Sequence, residues 1–188
     1  MNMKHSLVAL LTVLLLLSAG CSGDSKKAGE QAADNKTENA TVAGYEVMDP
    51  ISVTAEDVNA IVRDADAGVV VLNMWATWCK PCVEEFPDLV RLQKEYGDRG
   101  LRLILVSADF QHNLAQVNAF LAEEDVDFQT YLKGQKDQEF ITGLHPEWSG
   151  TLPATVFYNS EGEAVEFHQG KLTWDEMKTR VENLLEGS

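Results

Sequence analysis

The stretch Val69-Val-Val-Leu-Asn-Met-Trp-Ala-Thr-Trp-Cys-Lys-Pro-Cys82 constrains this chain more than any other. A run of β-branched and apolar residues, suited to a fully buried strand, ends in a Cys-x-x-Cys whose second half opens a helical pattern. Two thiols at i and i+3 on a first helical turn lie close enough to close a small disulfide ring. The helix N-terminus carries partial positive charge and Lys80 adds a full one beside Cys79, so a thiolate is favoured there. A zinc half-site and an inert disulfide staple are the structural alternatives. Zinc requires four ligands, and no second Cys pair or His-x3-His completes the set. The stretch therefore reads as a dithiol that exchanges electrons with other disulfides.

Length and charge narrow the setting. The 188 residues leave room for one domain of ordinary size after processing, and 45% hydrophobic content suits a packed core. Formal net charge is −15, and removal of residues 1–20, whose only formal charge is Lys4, makes it −16. Such a surface repels nucleic-acid phosphates and anionic lipid heads, so neither is expected as a direct partner. Three cysteines are few for a disulfide scaffold, and two of them form the Cys79/Cys82 pair.

The third, Cys21, is explained by its position. Residues 1–20 carry Lys4 and His5, then an apolar stretch from Leu7 to Leu17 that is too short to span a bilayer and reads as a secretory signal peptide. Ser18-Ala-Gly-Cys21 resembles the lipobox of bacterial lipoproteins, in which the cysteine is lipidated after cleavage; the usual leucine is displaced to Leu17, with Ser18 in its place. From Ser22 to about Gly44 there is almost no large apolar residue, so residues 21–44 read as a lipidated cysteine and flexible tether. About twenty such residues reach roughly 25 Å. Asn35-Lys-Thr and Asn39-Ala-Thr match the glycosylation acceptor pattern, but in a bacterial lipoprotein such matches are chance.

The folded domain is expected over residues 45–188. Thr54 and Asp57 form a capping pair ahead of a helix whose Val58, Ile61 and Val62 share a face. Val69 to Met74 is a buried strand. After Lys80 a helix turns Val83, Phe86, Leu89, Val90 and Tyr96 inward and Glu84, Asp88, Arg91 and Glu95 outward, with Pro87 expected to kink it. Leu101 to Ser107 is the next strand, and strand, helix, strand implies a parallel crossover. Asn113 to Glu124 reads as a helix, Val126 to Leu132 as a short strand and Gln135 to Thr142 as a weak helix. Gly143 to Leu152 is a loop leading to Pro153. Ala154 to Asn159 and Glu163 to His168 form a hairpin, and Thr173 with Glu176 caps a final amphipathic helix carrying Trp174, Met177, Val181, Leu184 and Leu185.

These pieces resemble the thioredoxin superfamily, more narrowly the membrane-anchored, extracytoplasmic thioredoxin-like proteins of the TlpA and ResA type. Trp75-Ala-Thr-Trp78-Cys79-Lys-Pro-Cys82 matches that family's Trp-x-x-Trp-Cys-x-Pro-Cys, and Glu85-Phe86-Pro87 follows at the family's spacing. Thr151-Leu-Pro153-Ala-Thr-Val-Phe157, then Ser160-Glu-Gly162, resembles its cis-proline loop and hairpin. The resemblance implies an α/β thioredoxin-like fold, a central mixed β-sheet flanked by helices. The 45 residues between Ser107 and Pro153 fit the subgroup's central αβ insertion.

The resemblance also implies roles. Cys79 is the attacking nucleophile, and Cys82, a turn deeper, resolves the mixed disulfide; the redox-active disulfide is then the only redox group needed, with no metal or added cofactor. Pro81 presets the first helical turn, and Lys80 biases Cys79 toward thiolate. Trp78 either flanks the dithiol or is simple hydrophobic cover. A cis bond before Pro153 places the Leu152 backbone against the dithiol, where it can pair with a substrate strand. Glu85 is either a solvated helix-face residue or a carboxylate that adjusts thiol proton affinity. Asn73 stands where thioredoxin has a buried acid and cannot titrate, which favours the second option. His112, His145 and His168 show no ligand spacing, and Trp148 is expected to pack, with lining a partner groove as the alternative.

The expected activity is an extracytoplasmic thiol–disulfide oxidoreductase, lipid-anchored to a bacterial membrane and reducing exported proteins such as apocytochrome c. Its electrons would come from a membrane donor of the CcdA or DsbD type. A DsbA-like oxidant is disfavoured because Lys-Pro between the cysteines lacks the histidine of those enzymes. A peroxidase lacks its Pro-x3-Thr-x2-Cys, and a copper metallochaperone on this fold uses Cys-x3-Cys with a distant His. Ser22, where retained lipoproteins of enteric bacteria carry aspartate, leans toward the outer membrane in a cell that has one.

Overall fold

The computed structural model describes residues 41–42, 45–46 and 48–187. The expected signal peptide, Cys21 and most of the tether lie outside the described residues. Strands β1 (Thr41–Val42) and β2 (Tyr45–Glu46) pair as a small antiparallel ribbon.

Six further strands form one mixed sheet. They are β3 (Ile51–Val53), β4 (Val69–Trp75), β5 (Leu101–Ser107), β6 (Tyr131–Lys133), β7 (Ala154–Tyr158) and β8 (Ala164–Gln169), in the spatial order β3-β6-β5-β4-β7-β8. β3, β6, β5 and β4 run parallel, while β7 and β8 are antiparallel to their neighbours. The helices are α1 (Ala55–Arg63), α2 (Lys80–Tyr96), α3 (Leu114–Glu123), α4 (Asp137–Leu144) and α5 (Trp174–Glu186).

All seven residues of β4 are buried, as a strand covered on both faces requires. Alternation sorts its side chains. Val69, Val71 and Trp75 join a core with Phe86, Leu89 and Leu92 of α2, Val117 and Leu121 of α3, and Met177 and Val181 of α5. Val70, Leu72 and Met74 face the opposite core, with Val58 and Val62 of α1 and Phe140 and Leu144 of α4. Asn73, in the odd register, therefore points toward α2.

Helix starts follow local chemistry. The Asp57 N–H donates to Thr54 Oγ1 at 3.2 Å and the Thr54 N–H to Asp57 Oδ2 at 2.8 Å, the expected capping box of α1. At α5 the Thr173 N–H donates to Glu176 Oε2 at 2.8 Å. Helix α2 continues through Pro87.

Three expectations shift in the insertion and at the edge. β6 is confined to three residues rather than Val126 to Leu132, because pairing with β5 and β3 reaches only Tyr131–Lys133. Helix α4 starts and ends two residues later than its periodicity suggested and includes Gly143. β3 gave no strand signal: it is a three-residue edge strand with only Val53 buried, so it carries no alternation long enough to read. Leu92 and Glu85 also face inward from α2 in addition to the residues expected there.

Candidate active site

Cys79 is the N-cap of α2 and Cys82 lies in its first turn; the two are joined by a disulfide. The Cys82 N–H donates to Cys79 Sγ at 3.3 Å, so one orphan donor of the helix N-terminus is aimed at the outer sulfur. Both cysteines are buried, Cys79 at 6% exposed and Cys82 at 1%, which leaves the N-cap residue the more accessible of the two. Pro81 occupies the first turn, where its missing N–H leaves no bond unmade.

Lys80 projects into solvent with its Nζ 3.9 Å from Glu84 Oε1, and Lys171 meets the same Glu84 at 3.0 Å. Its charge is consequently shared and screened rather than focused on Cys79.

Glu85 is fully buried, not solvated. It stands three residues beyond Cys82, on the same side of α2. Its Oε1 accepts from Asn73 Nδ2 at 2.9 Å and its Oε2 from the Leu172 N–H at 2.5 Å. Asn73 Nδ2 also donates to Thr155 Oγ1 at 3.0 Å, a contact set by the antiparallel register that places Asn73 opposite Thr155. Burial pushes the Glu85 carboxyl up to about 7, against the opposing pull of the Leu172 and Asn73 donors. A carboxyl of that proton affinity can hold or release a proton near neutral pH.

The Leu152–Pro153 bond is cis. Leu152 lines a cavity of about 120 Å³ together with Trp78, Phe110, Phe140, Ile141 and Trp148. Trp78 and Phe110 are among the few large apolar side chains left exposed, at 62% and 54%. Trp148 is buried, with its Nε1 donating to the Thr151 carbonyl at 2.9 Å and its ring edge-on to Phe140. Lys133 pairs with Asp137 and lies 5.3 Å over the Phe110 ring. His112 stacks on Phe110 and His145 on Phe167.

Sequence reading passed over Asp109. It is fully buried and grips Thr77 twice, accepting the backbone N–H at Oδ2 (2.8 Å) and the hydroxyl at Oδ1 (2.8 Å). The Ser107 hydroxyl also donates to Oδ2 at 2.8 Å. The available signal was positional: Ser107 ends β5 and Asp109 lies two residues on, beside the carboxyl end of β4, where sites of parallel sheets gather.

This sheet, with a Cys-x-x-Cys at the tip of the helix that follows its central strand, defines a thiol–disulfide oxidoreductase of the thioredoxin-like class. The chain belongs to the AhpC/TSA family, whose model matches residues 28–166. It is 30% identical over 151 residues to the thioredoxin-like protein YneN of Bacillus subtilis, covering 79% of this chain and 84% of that one. It is 28% identical over 185 residues to the thiol-disulfide oxidoreductase ResA of Bacillus cereus, covering 98% of both. The structure is similar to a thiol:disulfide interchange protein of the thioredoxin family from Chlorobium tepidum, with TM-score 0.55 at 18% identity over 74% of this chain and 98% of that one. Thioredoxin-like fold and oxidoreductase activity of the ResA type therefore agree with the sequence expectation. Among the described residues no helix is long and apolar enough to cross a membrane.

Proposed function

We propose that the chain is an extracytoplasmic reductant, tethered through a lipidated Cys21, that reduces disulfides of exported proteins, apocytochrome c among them. The observation that carries this reading is the Cys79–Cys82 disulfide at the N-terminus of α2 with the buried Glu85 carboxyl one turn further on. In the reduced state the Cys79 thiolate attacks one sulfur of the substrate disulfide, forming a mixed disulfide and expelling the other substrate sulfur as thiolate. The Cys82 thiolate then attacks Cys79 Sγ, closing the Cys79–Cys82 bond and releasing the second substrate sulfur. Two electrons pass to the substrate, and two protons are taken up by its thiols.

Each neighbour has a part in this reading. Glu85 accepts the proton of the buried Cys82 thiol when that sulfur becomes the nucleophile, a task suited to a carboxyl poised near 7. The Leu152 backbone pairs with the substrate strand, and Trp78 and Phe110 cover the apolar residues beside its cysteine. A membrane dithiol carrier of the CcdA or DsbD type restores the reduced state.

The reduction potential of the full chain, measured against a thiol buffer, tests the direction. A value near that of thioredoxin, about −270 mV, supports the reductant. A value near that of DsbA, about −120 mV, overturns it in favour of an oxidant. Stoichiometric copper on the purified protein without disulfide reduction would replace both with a metal carrier.

A further inference from the structure

Asp109 is an unusual group to find beneath a nucleophile. Its side chain is fully buried, and among the described residues no lysine, arginine or histidine forms an ion pair with it. Three groups donate to its carboxyl: the Thr77 N–H, the Thr77 hydroxyl and the Ser107 hydroxyl. Its own N–H returns a bond to Ser107 Oγ at 3.0 Å, which makes the end of β5 a closed turn.

The loop between β4 and α2 hangs from this turn. The Ala108 N–H donates to the Trp75 carbonyl at 2.8 Å, Asp109 holds Thr77, and the Cys79 N–H closes on the Ala76 carbonyl at 3.1 Å. Every residue from Trp75 to Cys79 except Trp78 is thus tied down, and Trp78 is the one left projecting into solvent.

We propose that Asp109 is a positioning residue for the dithiol, which clamps the Thr77–Cys79 segment and opposes thiolate formation at Cys79 through its buried charge. Thr77 is two residues from Cys79, so their Cα atoms lie within about 7 Å. A buried negative charge held against this segment raises the thiol's proton affinity. The helix N-terminus and the Cys82 N–H pull the other way. Lys80, which would also favour the thiolate, is 88% exposed and shared with Glu84, whereas Asp109 is buried. His112, Lys133 and Lys136 line one cavity with Asp109 and oppose its effect, Lys133 being paired there with Asp137. Lys171 likewise spends its charge on Glu84. Glu85, the remaining acid at this end of α2, is held by Asn73 and Leu172.

The functional sense of the clamp rests on the reductant reading. Stabilising the thiolate makes a dithiol a stronger oxidant, so a group that opposes the thiolate keeps the pair reducing.

Asp109→Asn, in the full chain, preserves shape and removes the charge. The expected result is a fall of about one pH unit in the Cys79 titration, read by thiolate absorbance and by alkylation rate against pH. Above both titration points the oxidation equilibrium against a thiol buffer should move roughly tenfold toward the dithiol. Ser107→Ala removes one donor and leaves the charge, so it should move the Cys79 titration upward, in the opposite direction; it decides the matter if Asp109→Asn does not fold. A melting temperature that falls while the titration and equilibrium stay within twofold of the parent would reduce Asp109 to a structural strut. The variant-to-parent shift is independent of the parent's absolute potential, so the reductant reading can fail while this one stands, and the reverse.

Discussion

Asn73 Nδ2 lies 2.9 Å from Glu85 Oε1, joining the central strand of the sheet to the helix that carries the dithiol. The contact exists because residue 73 falls in the odd register of β4, on the face covered by α2. An amide at this position donates a hydrogen bond to the buried carboxyl without adding charge. A second acid there would set two carboxyls in one site and force one to stay protonated.

Glu85 binds its proton more tightly folded than unfolded, with its titration raised from an ordinary 4.5 to about 7. The folded state therefore has its full advantage from this group below about pH 4.5 and loses it as pH rises to about 7, a change of about 3 kcal/mol. Glu85→Gln should abolish that slope, leaving the variant relatively more stable at pH 8 than at pH 5. Denaturant unfolding of both proteins across pH 4–8 checks this; parallel curves would remove Glu85 from the linkage.

Cys79→Ser should lose disulfide exchange entirely, because the remaining sulfur is 1% exposed. Cys82→Ser should retain the first attack and accumulate mixed disulfides with substrate, visible on non-reducing gels and by mass spectrometry. Recovery of trapped partners from Cys79→Ser instead would exchange the two assignments.

Phe86 is fully buried and its ring sits 4.5 Å from Trp75 and 4.8 Å from Phe120, centroid to centroid. Phe86→Ala should cost about 3–5 kcal/mol through lost burial and the cavity left behind. Chemical denaturation gives the number; a loss under about 1 kcal/mol would mean the three-ring cluster can collapse around the gap.

Trp78→Ala removes a ring that is 62% exposed, so stability should change by less than about 0.5 kcal/mol. Reduction of a protein disulfide should suffer a several-fold rise in KM, while exchange with a small dithiol stays unchanged. Equal losses on both substrates would point to an altered dithiol rather than a lost contact surface.

Much of this molecule is set by local rules that act within a few residues. The two capping boxes at Thr54 and Thr173, the apolar runs of β4 and β5, and the amphipathic faces of α2 and α5 are periodicities or side-chain-to-backbone bonds legible along the chain. So was the dithiol, since Cys79 and Cys82 need only one helical turn to meet. The tertiary structure decided what depends on contacts far apart in sequence. Edge strand β3 exists through pairing with β6, 80 residues on (Ile51 with Tyr131), and the extent of β6 is set by its pairing with β3 and β5. The burial of Glu85 depends on Asn73 and Leu172, 12 and 87 residues away, and the Asp109 clamp on Thr77 spans 32. Desolvation and register are properties of the assembled sheet, so no local pattern announces them. Sequence located the reactive sulfurs; only the packed sheet placed the carboxyls beside them.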